Sequence, residues 1–171
     1  VVNEYDESDL KRMFFDYGEL KNAGALANTI VIARKENPIR NTEQLKKVLS
    51  RFLPAHKSNK ILAQIYQAIR IEVNQEMDVL ERFLTQTATV LKPGGRLVVM
   101  SYHSLEDRLV KNYMKRGNLD GEIEKDFFGN VLKPFDEVVR HPIVPTEEEC
   151  ERNSRARSAK LRIALRQEQK K

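Results

Sequence analysis

The stretch from Pro93 to Lys111 constrains this chain more than any other, because a turn, an apolar run and a polar cluster follow one another without a break. Gly94 and Gly95 suit a tight turn, since glycine reaches positive φ without a Cβ clash. Leu97, Val98, Val99 and Met100 form a non-alternating apolar run, the pattern of a strand buried on both faces in a parallel sheet covered by helices. Ser104 stands three residues before Asp107, a capping-box spacing, and Leu105, Leu109 and Tyr113 recur behind it at helical intervals. The unit is strand, short polar turn, helix. Ligands of open α/β sheets gather at the carboxyl ends of strands, which puts Ser101, Tyr102, His103, Ser104, Glu106 and Asp107 where chemistry is expected.

The ninety residues upstream read as helices. Leu10, Met13, Phe14 and Tyr17 share one face, with Gly18 expected as a carboxyl-terminal cap. A second helix is expected from about Leu20 to Lys35, stopped by Asn37-Pro38, and a third from about Thr42, with Leu45, Val48, Leu49 and Phe52 inward and Pro54 at its end. From Leu62 to Leu84 apolar residues recur every three or four positions. That run fits one long helix or two with a break near Val73 to Gln75. The expected division is a helical (α-bundle) domain over residues 1–72 and an α/β part over 73–171.

Beyond the Pro93 unit, periodicity fades over residues 117–135, which read as a loop. Glu137 to Val144 suit a strand with Val139 inward, and Thr146 with Glu149 has capping-box spacing. At the end, Ala159, Leu161, Ile163 and Leu165 alternate with Lys160, Arg162, Ala164 and Arg166. This is the period of a strand with an apolar face expected to be buried and a mainly basic face turned away, and a helix is the alternative.

Charge adds a second constraint. The net +5 is unevenly distributed: from Arg152 onward eight Lys or Arg face one acid, Glu168, while residues 1–151 carry a net −2. A local cationic cluster favours a polyanion such as RNA, and the acidic remainder argues against coating nucleic acid over the whole surface. The single cysteine, Cys150, has no partner for an internal disulfide and no neighbouring His or Cys at metal-ligand spacing. A reducing compartment, with cytoplasm the default, and no metal are expected. The apolar runs fall far short of the roughly 20 residues that span a bilayer. Val1-Val2-Asn3-Glu4 is neither a leader nor an initiator methionine, so a piece of a longer protein is expected.

Three groups could carry function. Tyr102, His103, Ser104, Glu106 and Asp107 supply a ring, an imidazole, a hydroxyl and two carboxylates at one strand end, enough for acid-base work or base stacking. The competing reading is that Ser104 caps the helix, the acids complement its dipole and His103 bonds the backbone. Ser104 lacks the Gly-x-Ser-x-Gly elbow of a hydrolase. Asn153, Arg155, Arg157 and Lys160 suit phosphate oxygens, the guanidinium groups bidentately; the competing reading is a solvated basic tail. Gln67, Arg70 and Asn74 align at i, i+3 and i+7, either lining a cleft or facing solvent.

Taken together, Tyr17-Gly18-Glu19, the run Gln67 to Asn74, the Pro93 to Lys111 stretch and Asn153 to Arg162 resemble the MraW/RsmH family of bacterial small-subunit ribosomal RNA (cytosine-N4)-methyltransferases. The resemblance runs through essentially the whole chain. It implies a Rossmann-like class I methyltransferase domain with an inserted helical domain, using S-adenosylmethionine on a cytidine of the decoding region. This chain resembles the second half: the helical domain followed by the C-terminal half of the sheet, with no cofactor-binding residue retained and little activity expected alone. On that footing His103, Ser104 and Glu106 are expected on the substrate side of the pocket, Asp107 and Arg108 as its braces, and Asn153, Arg155, Arg157 and Lys160 on RNA phosphates. The chain has no Asp-Pro-Pro-Tyr motif. A half sheet leaves an open edge, so homodimerisation is a further expectation. A non-enzymatic RNA-binding module and a protein-interaction scaffold built on the helical half are the rival readings.

Overall fold

The computed structural model describes residues 1–168, so Lys170 and Lys171 of the basic stretch lie outside the described residues. It divides into two compact units, Val1–Glu76 and a second beginning at Met77. The whole is mixed α/β, with seven helices and a three-stranded sheet among the described residues.

The first unit is helical: α1 (Glu7–Asp16), α2 (Ala23–Glu36), α3 (Thr42–Val48) and α4 (Ser58–Asn74). Local chemistry sets its boundaries. Asp6 accepts from the Asp9 N–H at 2.8 Å and Asn41 from the Gln44 N–H at 2.9 Å, each relieving an orphan donor of a first turn. Asn37 is extended ahead of Pro38, ending α2. Leu10, Met13, Phe14, Leu26, Ala27, Ile30, Leu49 and Ile65 are fully buried in one core, each large aliphatic or aromatic side chain contributing about 1.5–3 kcal/mol.

Gly18 is not the left-handed cap that its position suggested. The positive φ belongs to Glu19, at 51°, and Tyr17 caps α1. Gly18 is required for close approach instead: a Cβ there would lie 2.7 Å from the Phe14 carbonyl oxygen and 3.2 Å from that of Gln64.

The long apolar run is two helices. Gln75 takes φ 51°, closing α4, and α5 (Glu76–Val90) starts at once. The remaining elements are β1 (Arg96–Ser101), α6 (Ser104–Arg116), β2 (Phe135–Glu137), α7 (Glu147–Arg152) and β3 (Lys160–Arg166). Thr146 caps α7 as its spacing predicts, accepting from the Glu149 N–H at 3.2 Å.

Strand order is β1-β3-β2 and both pairings are antiparallel, so β1 and β2 run parallel to each other with β3 reversed between them. This corrects the parallel pairing expected at β1. The turn sets it: Gly95 O accepts from Arg166 N–H at 2.8 Å and Gly94 N–H donates to Arg166 O at 2.9 Å, holding β3 beside the start of β1. The apolar run of β1 is also not covered on both faces. Leu97 is 6% exposed, but Val98 and Met100 on the opposite face are 53% and 52% exposed.

At β3 the strand reading holds and the helix alternative does not, but its faces are inverted. Arg162 and Ala164 are buried at 9% and 0%, whereas Leu165 on the apolar face is 37% exposed. The register explains this: Leu97, Val99 and Ser101 face Ala164, Arg162 and Lys160, so the basic row shares the side on which α6 packs. Leu84, Leu97, Val110, Tyr113, Met114, Phe135 and Ala164 form that core. The strand expected over 137–144 begins earlier and is short. Phe135 is its buried residue, Val139 is 37% exposed, and pairing resumes only at the Ile143–Leu161 bridge. Residues 117–134 are largely irregular, with a Lys125–Val131 bridge.

Candidate functional site

The turn from Ser101 to Ser104 joins β1 to α6, and its capping box lies one residue earlier than expected. His103, not Ser104, is the cap. Its Nδ1 accepts from the Glu106 N–H at 3.4 Å, while Glu106 Oε2 accepts from the N–H groups of Tyr102 at 2.8 Å and His103 at 3.3 Å. An accepting Nδ1 carries no proton, which puts the imidazole hydrogen on Nε2, 3.4 Å from Glu106 Oε1. His103 and Glu106 therefore hold the turn, and Ser104 and Tyr102 are its exposed side chains.

Because Glu106 completes the box, Asp107 is available for another task. It is 8% exposed and accepts from Arg162 Nε at 2.7 Å, a second Arg162 nitrogen at 3.3 Å and Lys160 Nζ at 3.1 Å. Burial alone would raise its pKa. The hydrogen bonds from Arg162 and Lys160, with their charges, outweigh burial and hold the carboxyl below its ordinary range. This clamp fastens α6 to β3 beside the turn. Arg162 was not among the expected site residues; in the sequence it stood only as a cation inside the alternating pattern of β3 and as the last residue of the Asn153 to Arg162 motif. Arg108, expected as a second brace, is exposed.

The basic loop leads into the same strand. Asn153 caps a 3-10 turn over Ser154–Ser158, its side chain accepting from the Arg155 N–H at 3.2 Å. Arg155 and Arg157 are exposed and flank buried Ala156. Lys160, expected on phosphate, has its ammonium on Asp107. The structure thus brings His103, Ser104, Glu106, Asp107 and Lys160 to one end of the sheet. Between Tyr102, α7 and the 3-10 turn lies a cavity of about 360 Å3, within the roughly 300–1,000 Å3 range of small-molecule sites.

Gln67, Arg70 and Asn74 belong to the first unit and are engaged there. Gln67 donates to Tyr17 O at 3.0 Å, Arg70 grips Glu76 with two nitrogens at 2.8 and 3.0 Å, and Asn74 donates to the same carboxylate at 3.1 Å. Gln67 thus ties α4 to the end of α1, and Arg70 with Asn74 holds Glu76 just past the end of α4.

Two groups of backbone donors that could face an anionic or nucleotide ligand are engaged within the chain. Gly94 and Gly95 precede a strand and bond Arg166, so they make no cradle before a helix, and the N–H groups of the β1–α6 turn point at Glu106.

The model of the MraW methylase family matches residues 1–167. The chain belongs to this family. It is 63% identical over 164 residues to ribosomal RNA small subunit methyltransferase H of Flavobacterium johnsoniae, covering 96% of this chain and 54% of that protein. For the protein of the same name from Flavobacterium psychrophilum the values are 62%, 96% and 56%, and for that from Amoebophilus asiaticus 53%, 97% and 54%. The chain thus spans about half the length of the curated relatives it matches. No helix among its described residues is long and apolar enough to cross a membrane.

Proposed function

We propose that this chain is the substrate-side, RNA-contacting part of an S-adenosylmethionine-dependent methyltransferase that acts on N4 of a cytidine in small-subunit ribosomal RNA. The observation that carries the reading is the Asp107 clamp, which binds the β1–α6 turn to the strand continuing from the basic loop, in a chain whose relatives are named ribosomal RNA small subunit methyltransferase H. The sheet is read as the C-terminal half of a Rossmann-like class I sheet, with further strands of the whole protein pairing along the open edge of β1. Residues 1–76 are read as the inserted helical domain. The cofactor is assigned to the remainder of the protein, and this chain alone is read as inactive.

Cytosine N4 is a poor nucleophile, because its lone pair is delocalised into the ring. Methylation therefore depends on holding the amino group in a fixed position and accepting its proton. His103 and Glu106 act here as positioning residues: they fix the backbone at Tyr102 and His103, with the exposed Tyr102 ring toward RNA. Asp107 with Arg162 and Lys160 holds that turn against β3. Arg155 and Arg157 take phosphate oxygens, with Asn153 shaping their loop. Exposure of both arginines also suits a non-catalytic RNA-binding module.

Incubating the full-length protein with labelled S-adenosylmethionine and small ribosomal subunits separates the readings. N4-methylcytidine in the digested RNA is the expected product, and its absence with RNA binding retained would favour the module. Arg155→Ala and Arg157→Ala should each flatten the log-affinity against log-salt slope by about 0.7 on single-stranded RNA.

A further inference from the structure

We propose that the helical unit carries an RNA-phosphate site of its own, the cavity between α3 and the start of α4 lined by Lys46, Lys47, Ser50 and Ser58. The inference rests on the reading of this chain as RNA-contacting, and extends it to a surface far in sequence from the basic loop.

Charge is segregated within this unit. Residues 1–33 carry six acids against Lys11, Arg12 and Lys21, whereas residues 40–60 carry Arg40, Lys46, Lys47, Arg51, Lys57 and Lys60 against one acid, Glu43. The mildly acidic total of residues 1–151 therefore conceals a local cationic block. Amphipathic packing brings it to the surface: Leu45 and Leu49 enter the core, and Lys46, Lys47, Lys57 and Lys60 are left exposed. Arg12 and Arg70 of the same unit are paired with Asp9 and Glu76. Lys46, Lys47, Lys57 and Lys60 have no carboxylate partner among the described residues. Helix dipoles explain only half of this arrangement. Lys46 and Lys47 suit the last turn of α3, but Lys57 and Lys60 stand at the cap and first turn of α4, the end where a cation is disfavoured and where no acid offsets them. A bound anion would relieve that repulsion.

The cavity has a volume of about 330 Å3 and is lined by Glu43, Lys46, Lys47, Ser50, Leu53 and Ser58. Two ammonium groups supply charge and two hydroxyls supply neutral donors, the mixture that phosphate oxygens accept from; Glu43 opposes an anion, and the lysines outnumber it. An RNA backbone suits this surface better than a lipid one. None of the exposed large apolar residues falls within residues 40–60, so nothing there would enter a bilayer interface. Phosphate contacts of this kind position RNA without reading its sequence.

The test is a salt titration of this 171-residue chain with fluorescent single-stranded RNA. The double variant Lys46→Gln/Lys47→Gln should flatten the log-affinity against log-salt slope by about 1.4, about 0.7 per contact, and weaken binding about tenfold at low salt. Lys11→Gln/Lys21→Gln removes the same charge from the acidic region and should leave the slope unchanged. Glu43→Gln should tighten binding, because it removes the carboxylate from the lining. Unchanged circular dichroism verifies that each variant is folded. An unaltered slope in the Lys46/Lys47 variant, equal flattening by the two lysine pairs, or weaker binding by Glu43→Gln would each overturn the site. So would a Lys46/Lys47 effect confined to vesicles containing phosphatidylserine, which would assign the surface to a membrane. Failure here is distinct from failure of the functional reading. Methylated cytidine from the full-length protein with no Lys46/Lys47 effect sinks this site and leaves the function standing; a Lys46/Lys47 effect without methylated cytidine does the reverse.

Discussion

Asp107 is fixed by two cations, Lys160 and Arg162, that lie 53 and 55 residues further along the chain. Asp107→Asn would leave the 9%-exposed Arg162 without a countercharge, and breaking a buried pair in this way typically costs about 3–5 kcal/mol. Urea denaturation at pH 7 should show that loss. The folded pKa of Asp107 is depressed, so its contribution is present above the ordinary value of 3.8 and disappears as pH falls through the lower folded value. The stability gap between wild type and Asp107→Asn should therefore hold at neutral pH and close in strong acid, below about pH 4. Arg108→Ala, on an exposed neighbour, should change stability by no more than about 0.5 kcal/mol. The sequence marked Asp107 as part of a polar cluster, but its partners were invisible: no local spacing links a helix residue to a strand more than fifty positions away.

Among the elements, α6 shows how one residue of offset redistributes roles. Both Ser104 with Asp107 and His103 with Glu106 have capping spacing, and burial decided between them: Asp107 is drawn toward Arg162, leaving Glu106 to bond the turn. His103→Ala should cost about 0.5–2 kcal/mol, and Ser104→Ala less, by thermal or urea denaturation. β3 makes a related point. Its alternation was legible as period two, but period does not specify phase, and the inward face is set by the packing of α6 and the Asp107 charge. In α4, by contrast, the polar row Gln67, Arg70 and Asn74 was legible as a row, and the grip of Arg70 and Asn74 on Glu76 depended on Gln75 breaking the helix at φ 51°, while Gln67 serves Tyr17 instead.

For the molecule as a whole, each compact unit has its own core. The cluster containing Leu10, Phe14, Ile30 and Ile65 lies entirely within the first 76 residues. Residues 1–76 expressed alone should therefore be helical by circular dichroism and unfold cooperatively in urea; a gradual, non-sigmoidal melt would count against an independent fold. In the second unit, β1 is an edge strand whose outward face carries Val98 and Met100, half-exposed. Edges and apolar faces of this kind invite pairing. Sedimentation of the chain should show concentration-dependent association, which Val98→Lys should reduce.

Periodicity and capping chemistry made the helices of the first unit, the strand-turn-helix at Pro93 and the strand at the carboxyl end readable without coordinates, because these depend on residues within a few positions of one another. The four motifs likewise sufficed to indicate the MraW family. Tertiary packing alone decided that β1 pairs antiparallel with β3, that the basic face of β3 turns inward, that His103 caps α6 and that Asp107 meets Arg162. Those outcomes depend on pairing register and on charges desolvated together. Both arise only when distant segments meet.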